Sequence, residues 1–185
     1  MRWIPVFAVG LLVSGCGSDG GTGGSATPVA TLTPDGLQLS APTSYNPCVG
    51  VSQQILDRFQ LRKATDPNSA DRDGPGGVRW RGCDWVRSKG YAIGVTTTNI
   101  TLDYVRANWS RDLREFDIDG RKAVSVRKSD DHPDEVCSIN VEMQGGSLEF
   151  HLVNPPSARE TGHMDTCQLG LEVADAVVPT LPPRA

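Results

Sequence analysis

The sequence lacks the long apolar run and the excess of positive charge that mark two large classes of proteins. No stretch reaches the roughly 18 apolar residues of a membrane-spanning helix, which excludes a protein with several membrane spans. The 18 Lys and Arg residues are outnumbered by 22 Asp and Glu residues, and the formal net charge is −4. Because nucleic-acid-binding proteins present a basic face to phosphates, we expect no nucleic-acid partner.

The sequence also lacks the short motifs of common catalytic and metal sites. It has no Gly-x-Ser-x-Gly, Ser-x-x-Lys or phosphate-binding loop, and no Cys-x-x-Cys pair. The spacing of His132, His151 and His163 matches no metal site. The acidic stretch 130–135 offers oxygen ligands for calcium, but it lacks EF-hand spacing and is interpreted as a solvated loop. We therefore predict a protein that is not an enzyme and holds no metal or cofactor.

The N-terminus carries the pattern of an export signal. A basic start at Arg2 is followed by a short apolar stretch over residues 3–13 and by small residues before Cys16. Val-Ser-Gly-Cys at residues 13–16 resembles the bacterial lipobox, in which the cysteine thiol receives a diacylglycerol. We predict that residues 1–15 are a lipoprotein signal peptide and that diacylglyceryl-Cys16 anchors the chain to the membrane. The alternative is a secreted protein in which Cys16 is merely a fifth cysteine.

Composition divides the remaining chain into a tether and a domain. Residues 16–44 are rich in Gly, Ser, Thr and Pro and have too little apolar content to offset the entropy of ordering. We predict a flexible tether over 16–44 and one globular domain over 45–182. The domain would then stand on the outer face of the cytoplasmic membrane, in the cell envelope.

Four cysteines lie in the predicted domain: Cys48, Cys83, Cys137 and Cys167. Thiols outside the cytoplasm tend to oxidise, so an even number indicates disulfides, and three pairings are possible. We favour Cys48–Cys83 and Cys137–Cys167, because each bond then joins the start of a helix to a strand. Loops of this size stabilise a fold by roughly 3–4 kcal/mol each.

Hydrophobic periodicity predicts an α+β fold. The predicted order α-β-β-α-β-β-β-α gives a mostly antiparallel five-stranded sheet with its helices packed on one face and two disulfides. Helices are predicted after Ser52, after Thr101 and over 165–178, and residues 60–77 are predicted as a loop. Polar residues alternate along the predicted strands, Asn140 near Arg127 and Glu149 with His151. This pattern fits either a protein-contact surface or a solvated sheet face.

The aromatic residues allow two interpretations. Trp80, Trp85, Tyr91 and Trp109 could line an apolar pocket for a lipid or glycan, or they could simply fill the core, and the core is favoured. A β-bulge at Gly82 would bring Trp80 to the side of Cys83 and Trp85, whereas strict alternation would place Trp80 opposite them. We favour the bulge.

Several motifs together resemble one family. They are Tyr45-Asn46-Pro47-Cys48, Gly82-Cys83-Asp84-Trp85, Ile118-Asp119-Gly120-Arg121, Cys137 before a strand, and Cys167 opening a helix that ends in Leu-Pro-Pro. In these motifs the chain resembles the actinobacterial lipoprotein family called domain of unknown function 3558, and it is similar to mycobacterial lipoproteins of the LprB and LprC kind. The resemblance implies an uncharacterised cell-envelope lipoprotein, supports the disulfide framework and transfers no catalytic residue.

Two functions are compatible with these features of the sequence. The first is a non-catalytic extracytoplasmic module that binds a lipid, a glycan or a small molecule. The alternative is a structural or accessory protein that contacts a membrane complex. A cavity lined by aromatic side chains would favour binding, and a filled core with an exposed apolar patch would favour the alternative.

Overall fold

An antiparallel sheet forms the centre of the structure, a computed structural model that describes residues 36–64, 69–183 and 185. The predicted signal peptide, Cys16 and most of the predicted tether lie outside the described residues. The strands are β1 (Leu61–Lys63), β2 (Arg72–Asp73), β3 (Arg79–Arg87), β4 (Ala92–Thr98), β5 (Arg114–Ile118), β6 (Arg121–Val126), β7 (Val136–Met143) and β8 (Gly146–Val153). The α-helices are α1 (Pro47–Gly50), α2 (Gln53–Arg58), α3 (Leu102–Asn108) and α4 (Thr166–Val177).

The sheet has eight strands, so the prediction of a five-stranded sheet is wrong. Seven strands follow the order β1-β3-β4-β8-β7-β6-β5, and β2 pairs with β3 beside β1. Strands β1 and β2 have three and two residues and lie inside the segment predicted as a loop. Elements this short cannot show an alternating pattern, and they exist because the long strand β3 offers them hydrogen-bond partners.

Local sequence explains where the longer helices begin. The Ser52 hydroxyl accepts a hydrogen bond from Ile55 N, the Thr101 hydroxyl accepts one from Tyr104 N, and the Asp165 carboxylate accepts one from Gln168 N. Each of these side chains satisfies an N–H group that the first helical turn leaves without a partner.

The first face of the sheet carries the main apolar core. We call it the α4 face, because α4 packs across β7 and β8 there, with α1 and α2 at the β3 end. Gly170 lets α4 come close, since a Cβ at this position would lie 2.7 Å from the Ile139 side chain. Both favoured disulfides are present: Cys48–Cys83 ties α1 to β3, and Cys137–Cys167 ties β7 to α4.

The opposite face is covered by α3, so the prediction that all helices pack on one face is also wrong. We call it the α3 face. Val124 and Val126 of β6 pack there against Leu102 and Val105 of α3. Their neighbour Ala123 points into the core of the α4 face. Because β6 has buried side chains on both sides, each side needs a cover.

Strand β3 runs without a bulge. Its register with β4 is continuous from Trp80 opposite Thr98 to Val86 opposite Ala92. Cys83 and Trp85 therefore point into the α4-face core, while Trp80 lies on the α3 face. The favoured bulge at Gly82 is wrong, and strict alternation holds.

The folded part of the chain begins before Tyr45. Leu37, within the segment predicted as tether, is fully buried in the apolar cluster of the α3 face. Gln38 N donates a hydrogen bond to Asn99 O. Across the described residues, no helix has the length and apolar character needed to cross a membrane.

Candidate functional site

Half of the α3 face is polar although much of it is buried. In the paired strands, Asp84, His151 and Ser138 share one row across the sheet, with Gly94 between Asp84 and His151. The next row contains Glu149 and Asn140, directly opposite each other on β8 and β7. We call these five side chains the polar half; Ser138, Asn140 and Glu149 within it are at most 1% exposed.

Glu149 is the central charge of this region. Its Oε1 accepts a hydrogen bond from Lys128 Nζ at 2.6 Å, and its Oε2 accepts one from Trp80 Nε1 at 2.6 Å. Burial alone would raise the pKa of Glu149, but the Lys128 ammonium above all, helped by the other donors, lowers it to about 2. Glu149 is thus a buried carboxylate that stays ionised.

Two tryptophans flank this carboxylate. The Lys128 ammonium lies 4.4 Å from the centre of the Trp109 ring, and the Arg72 guanidinium lies 4.5 Å from that of Trp80. Both distances fit cation–π contacts. We call Glu149, Lys128, Trp80 and Trp109 the Glu149 network. Its parts come from β8, β3, α3's C-terminal end and the chain after β6, so the fold alone assembles it.

His151 and Asp84 occupy the row beside Glu149. His151 Nδ1 and the Ser138 hydroxyl are 2.9 Å apart. Burial lowers the pKa of His151, which favours its neutral form, and burial raises the pKa of Asp84. Because Ser138 is fully buried, its hydroxyl is not presented to a substrate, and the pair forms a fixed polar floor.

Asn140 completes the floor and leaves one acceptor unused. Its Nδ2 donates to Ser147 Oγ, which donates to Ile100 O. Asn140 Oδ1 has no hydrogen-bond partner among the residues that the structure describes. A buried acceptor in this state costs free energy, and in native proteins it usually has a water or ligand to explain it.

The α3 face ends in an uncovered apolar row. Val86, Ala92, Val153 and Val136 stand side by side on β3, β4, β8 and β7, and we call them the open row. Val86 is 44% exposed and Val153 is 37% exposed. The polar half and the open row together form a surface with a charged floor, aromatic flanks and an apolar margin.

The structure separates the four aromatic residues predicted as binding candidates into two pairs. Trp85 and Tyr91 are buried in the α4-face core, where burial raises the pKa of Tyr91 to about 12. Trp80 and Trp109 lie on the α3 face, in the Glu149 network. The predicted lipidation site, Cys16, lies outside the described residues.

The alternating polar residues noted in the sequence are placed differently from either interpretation. Asn140 and Glu149 are buried rather than solvated. Arg127 does not join Asn140, because it binds Asp112, Asp165 and Pro133 O near the start of α4. Lys128 was missed as a site residue, since no local pattern indicates that it reaches Glu149, 21 positions away.

A concave region lies elsewhere, near the start of the domain. A cavity of about 240 Å³ opens between residues 41–47 and β3, and Tyr45 is the aromatic residue in its lining. Within the described segments, no group of three or more His, Cys, Asp or Glu side chains could hold a metal ion.

Comparison with protein-family models gives a match over most of the chain. Residues 11–180 match the family described as Protein of unknown function (DUF3558). Searches of the curated proteins and of the solved structures gave no match.

Proposed function

Since the chain belongs to the family described as Protein of unknown function (DUF3558), whose description assigns no activity, we propose a function from its geometry. The protein is a non-catalytic, lipid-anchored binding protein on the outer face of the cytoplasmic membrane. It belongs among actinobacterial lipoproteins similar to those of the LprB and LprC kind. Its binding surface comprises the open row and the two half-buried members of the polar half, His151 and Asp84, beside the buried Glu149.

The observation that carries this proposal is a buried, ionised Glu149 on the same sheet face as the open row, in which Val86 and Val153 are exposed. Replacing a buried ion pair with apolar residues is often neutral or stabilising, so stability alone does not require this pair. The α4 face shows that the same sheet supports a mainly apolar interior. Charged groups with shifted pKa values beside an accessible surface are typical of binding sites.

The lipid anchor rests on the motif at residues 13–16. The family match begins at residue 11 and therefore includes this motif and Cys16. We expect Cys16→Ser to abolish acylation and to release the protein from the membrane fraction. An acylated mass and unchanged membrane partitioning of Cys16→Ser would contradict the anchor.

The test of binding uses the full chain, purified from the membranes of its own host in mild detergent. Native mass spectrometry should show an added mass that disappears on denaturation. Val153→Arg, which places a charge on the open row, should lose that mass. The matched control is Val49→Arg, because Val49 is 80% exposed on α1, away from the α3 face, and should retain the ligand. No added mass in the wild type, or equal masses in both variants, would overturn the proposal.

A second candidate is an accessory protein that contacts a membrane complex. The open row supports it, because an exposed apolar patch is the feature expected above for this function and is typical of protein interfaces. A photo-crosslinking residue at Ala92 tests this function against the first. Crosslinks to one membrane protein from position 92, and none from position 49, would favour the accessory role. A small-molecule mass without crosslinks would favour ligand binding.

A further inference from the structure

The cation in the Glu149 network is the ammonium group of Lys128, a side chain of the protein itself. Lys128 Nζ lies 2.6 Å from Glu149 Oε1 and 4.4 Å from the centre of the Trp109 ring. A carboxylate and an aromatic face are the groups with which proteins commonly hold an ammonium ion. The groups around Lys128 Nζ are therefore those of an ammonium-binding site. They would bind the ammonium group of a ligand in the same way.

Asn140 gives a second, independent indication. It faces Glu149 across the paired strands β7 and β8 and is fully buried. The chain of hydrogen bonds through Ser147 to Ile100 O fixes the orientation of its amide, which leaves Oδ1 as the unused acceptor. An ammonium group has three N–H donors. Lys128 donates to Glu149 and leaves this acceptor, which belongs to the same residue pair of β7 and β8, without a donor.

Lys128 is able to leave without disturbing the sheet. It follows β6, which ends at Val126, so its departure breaks no strand pairing. Its side chain is 16% exposed and has solvent on one side. The preceding residue, Arg127, is held by Asp112 and Asp165, which keeps the backbone in place.

The open row lies at a fixed distance from this site. Glu149, His151 and Val153 project from the same face of β8. Four residues of a strand span about 13 Å, so a molecule bound at Glu149 reaches Val153 only if it is elongated. His151 lies between them on β8, and Asp84 lies in the row of His151 on β3. The Arg72 guanidinium stacks on Trp80.

We propose that Lys128 is the internal occupant of an ammonium site, and that the ligand of the α3 face is an amphiphile with a primary ammonium group. The ammonium displaces Lys128 from Glu149, and the apolar part of the ligand covers the open row. This inference rests on the binding function proposed above and assigns the chemical class of the ligand.

Isothermal titration calorimetry with n-octylammonium tests the inference on the full chain. Lys128→Met removes the competing ammonium but retains an apolar side chain, and we expect it to bind the probe at least tenfold more tightly than the wild type. Adding Glu149→Gln to Lys128→Met should remove this gain. The uncharged n-octanol should bind neither Lys128→Met nor the double variant at comparable concentrations. Equal affinity of wild type and Lys128→Met, or a gain that survives Glu149→Gln, would overturn the inference.

A measurement on the wild type covers the case in which Lys128→Met fails to fold. In ¹⁵N-lysine NMR spectra, saturating n-octylammonium should move the Lys128 Nζ signal to the position of solvated lysines. An unchanged signal overturns the inference. If n-octylammonium does not bind while Val153→Arg still removes the native ligand mass, only the assignment of an ammonium ligand is contradicted. If Val153→Arg leaves that mass in place, the proposed binding function falls with it.

Discussion

The two faces of the sheet differ in the side chains that they bury. The α4 face is apolar throughout its centre, closed by α4 and pinned by two disulfides. The α3 face has a buried apolar cluster with α3, buries the polar side chains of Glu149, Asn140 and Ser138, and ends in the exposed open row. Because both faces use the same strands, backbone pairing cannot explain the difference. The comparison indicates that the α4 face provides stability, whereas the α3 face is the one on which we propose binding.

The largest expected effect on the free energy of unfolding comes from a cavity in the core of the α4 face. Phe150 on β8 is fully buried there, and Phe150→Ala should lower the free energy of unfolding by about 3–5 kcal/mol, because a cavity remains. Urea unfolding followed by circular dichroism measures this value. Val153→Ala on the other face of the same strand is the control and should cost about 0.5 kcal/mol or less. Similar losses in both variants would remove the distinction between the faces.

The ion pair of the α3 face should behave differently from a core contact. Glu149→Leu leaves Lys128 without its partner and should cost about 3 kcal/mol, at the low end for buried pairs because Lys128 can turn toward solvent. Combining Glu149→Leu with Lys128→Met should restore stability to within about 1 kcal/mol of the wild type or exceed it. A double variant no more stable than the single one would show that the pair supports the fold.

Acid should weaken the α3 face through Glu149. The pKa of Glu149 in the folded protein, about 2, is below its ordinary value of 4.5, so the unfolded chain binds more protons between these values. Its contribution is therefore complete above about pH 4.5 and is lost as the pH falls toward 2. The difference in free energy of unfolding between wild type and Glu149→Gln should shrink over this interval in urea titrations. A constant difference would contradict the assigned pKa.

The smallest effect separates the two tryptophans of the Glu149 network. Trp80→Phe removes the N–H that donates to Glu149 and should cost about 1–2 kcal/mol. Trp109→Phe keeps an aromatic face for Lys128 and should cost less than about 1 kcal/mol. Urea unfolding of both variants measures these costs. If Trp109→Phe cost more than Trp80→Phe, the ring face rather than the hydrogen bond would be holding the network together.

Sequence reasoning was most accurate where structure depends on near neighbours. Ser52 and Thr101 cap helices as predicted, because a side-chain oxygen reaches an N–H group three residues later, which is a local event. Asp165, predicted as the first residue of the last helix, is instead its cap. The turn at Asp119 and Gly120 has positive φ at both residues, as that pair of residues predicts. The alternation of Ser138 with Cys137, and of Glu149 with Phe150, correctly separated the two faces.

The number of strands and the placement of the helices could not be obtained in this way. Strands β1 and β2 are too short to carry a pattern and form only against β3. Alternation shows that Val124 and Val126 share a face, but it does not show that α3 covers them. The candidate site has the same origin, because Lys128, Trp80 and Glu149 are far apart in the chain and meet only across the sheet.

The sequence by itself determined the local signals: helix caps, turns, strand alternation and a cysteine arrangement that favoured the observed disulfides. Tertiary structure alone decided which side chains of each face are covered and which remain open. The physical reason is that alternation assigns a side chain to a face, whereas burial depends on what packs over that face. In the sequence, Glu149 is therefore one polar residue on a predicted strand. Its burial beside the exposed open row is determined by the fold.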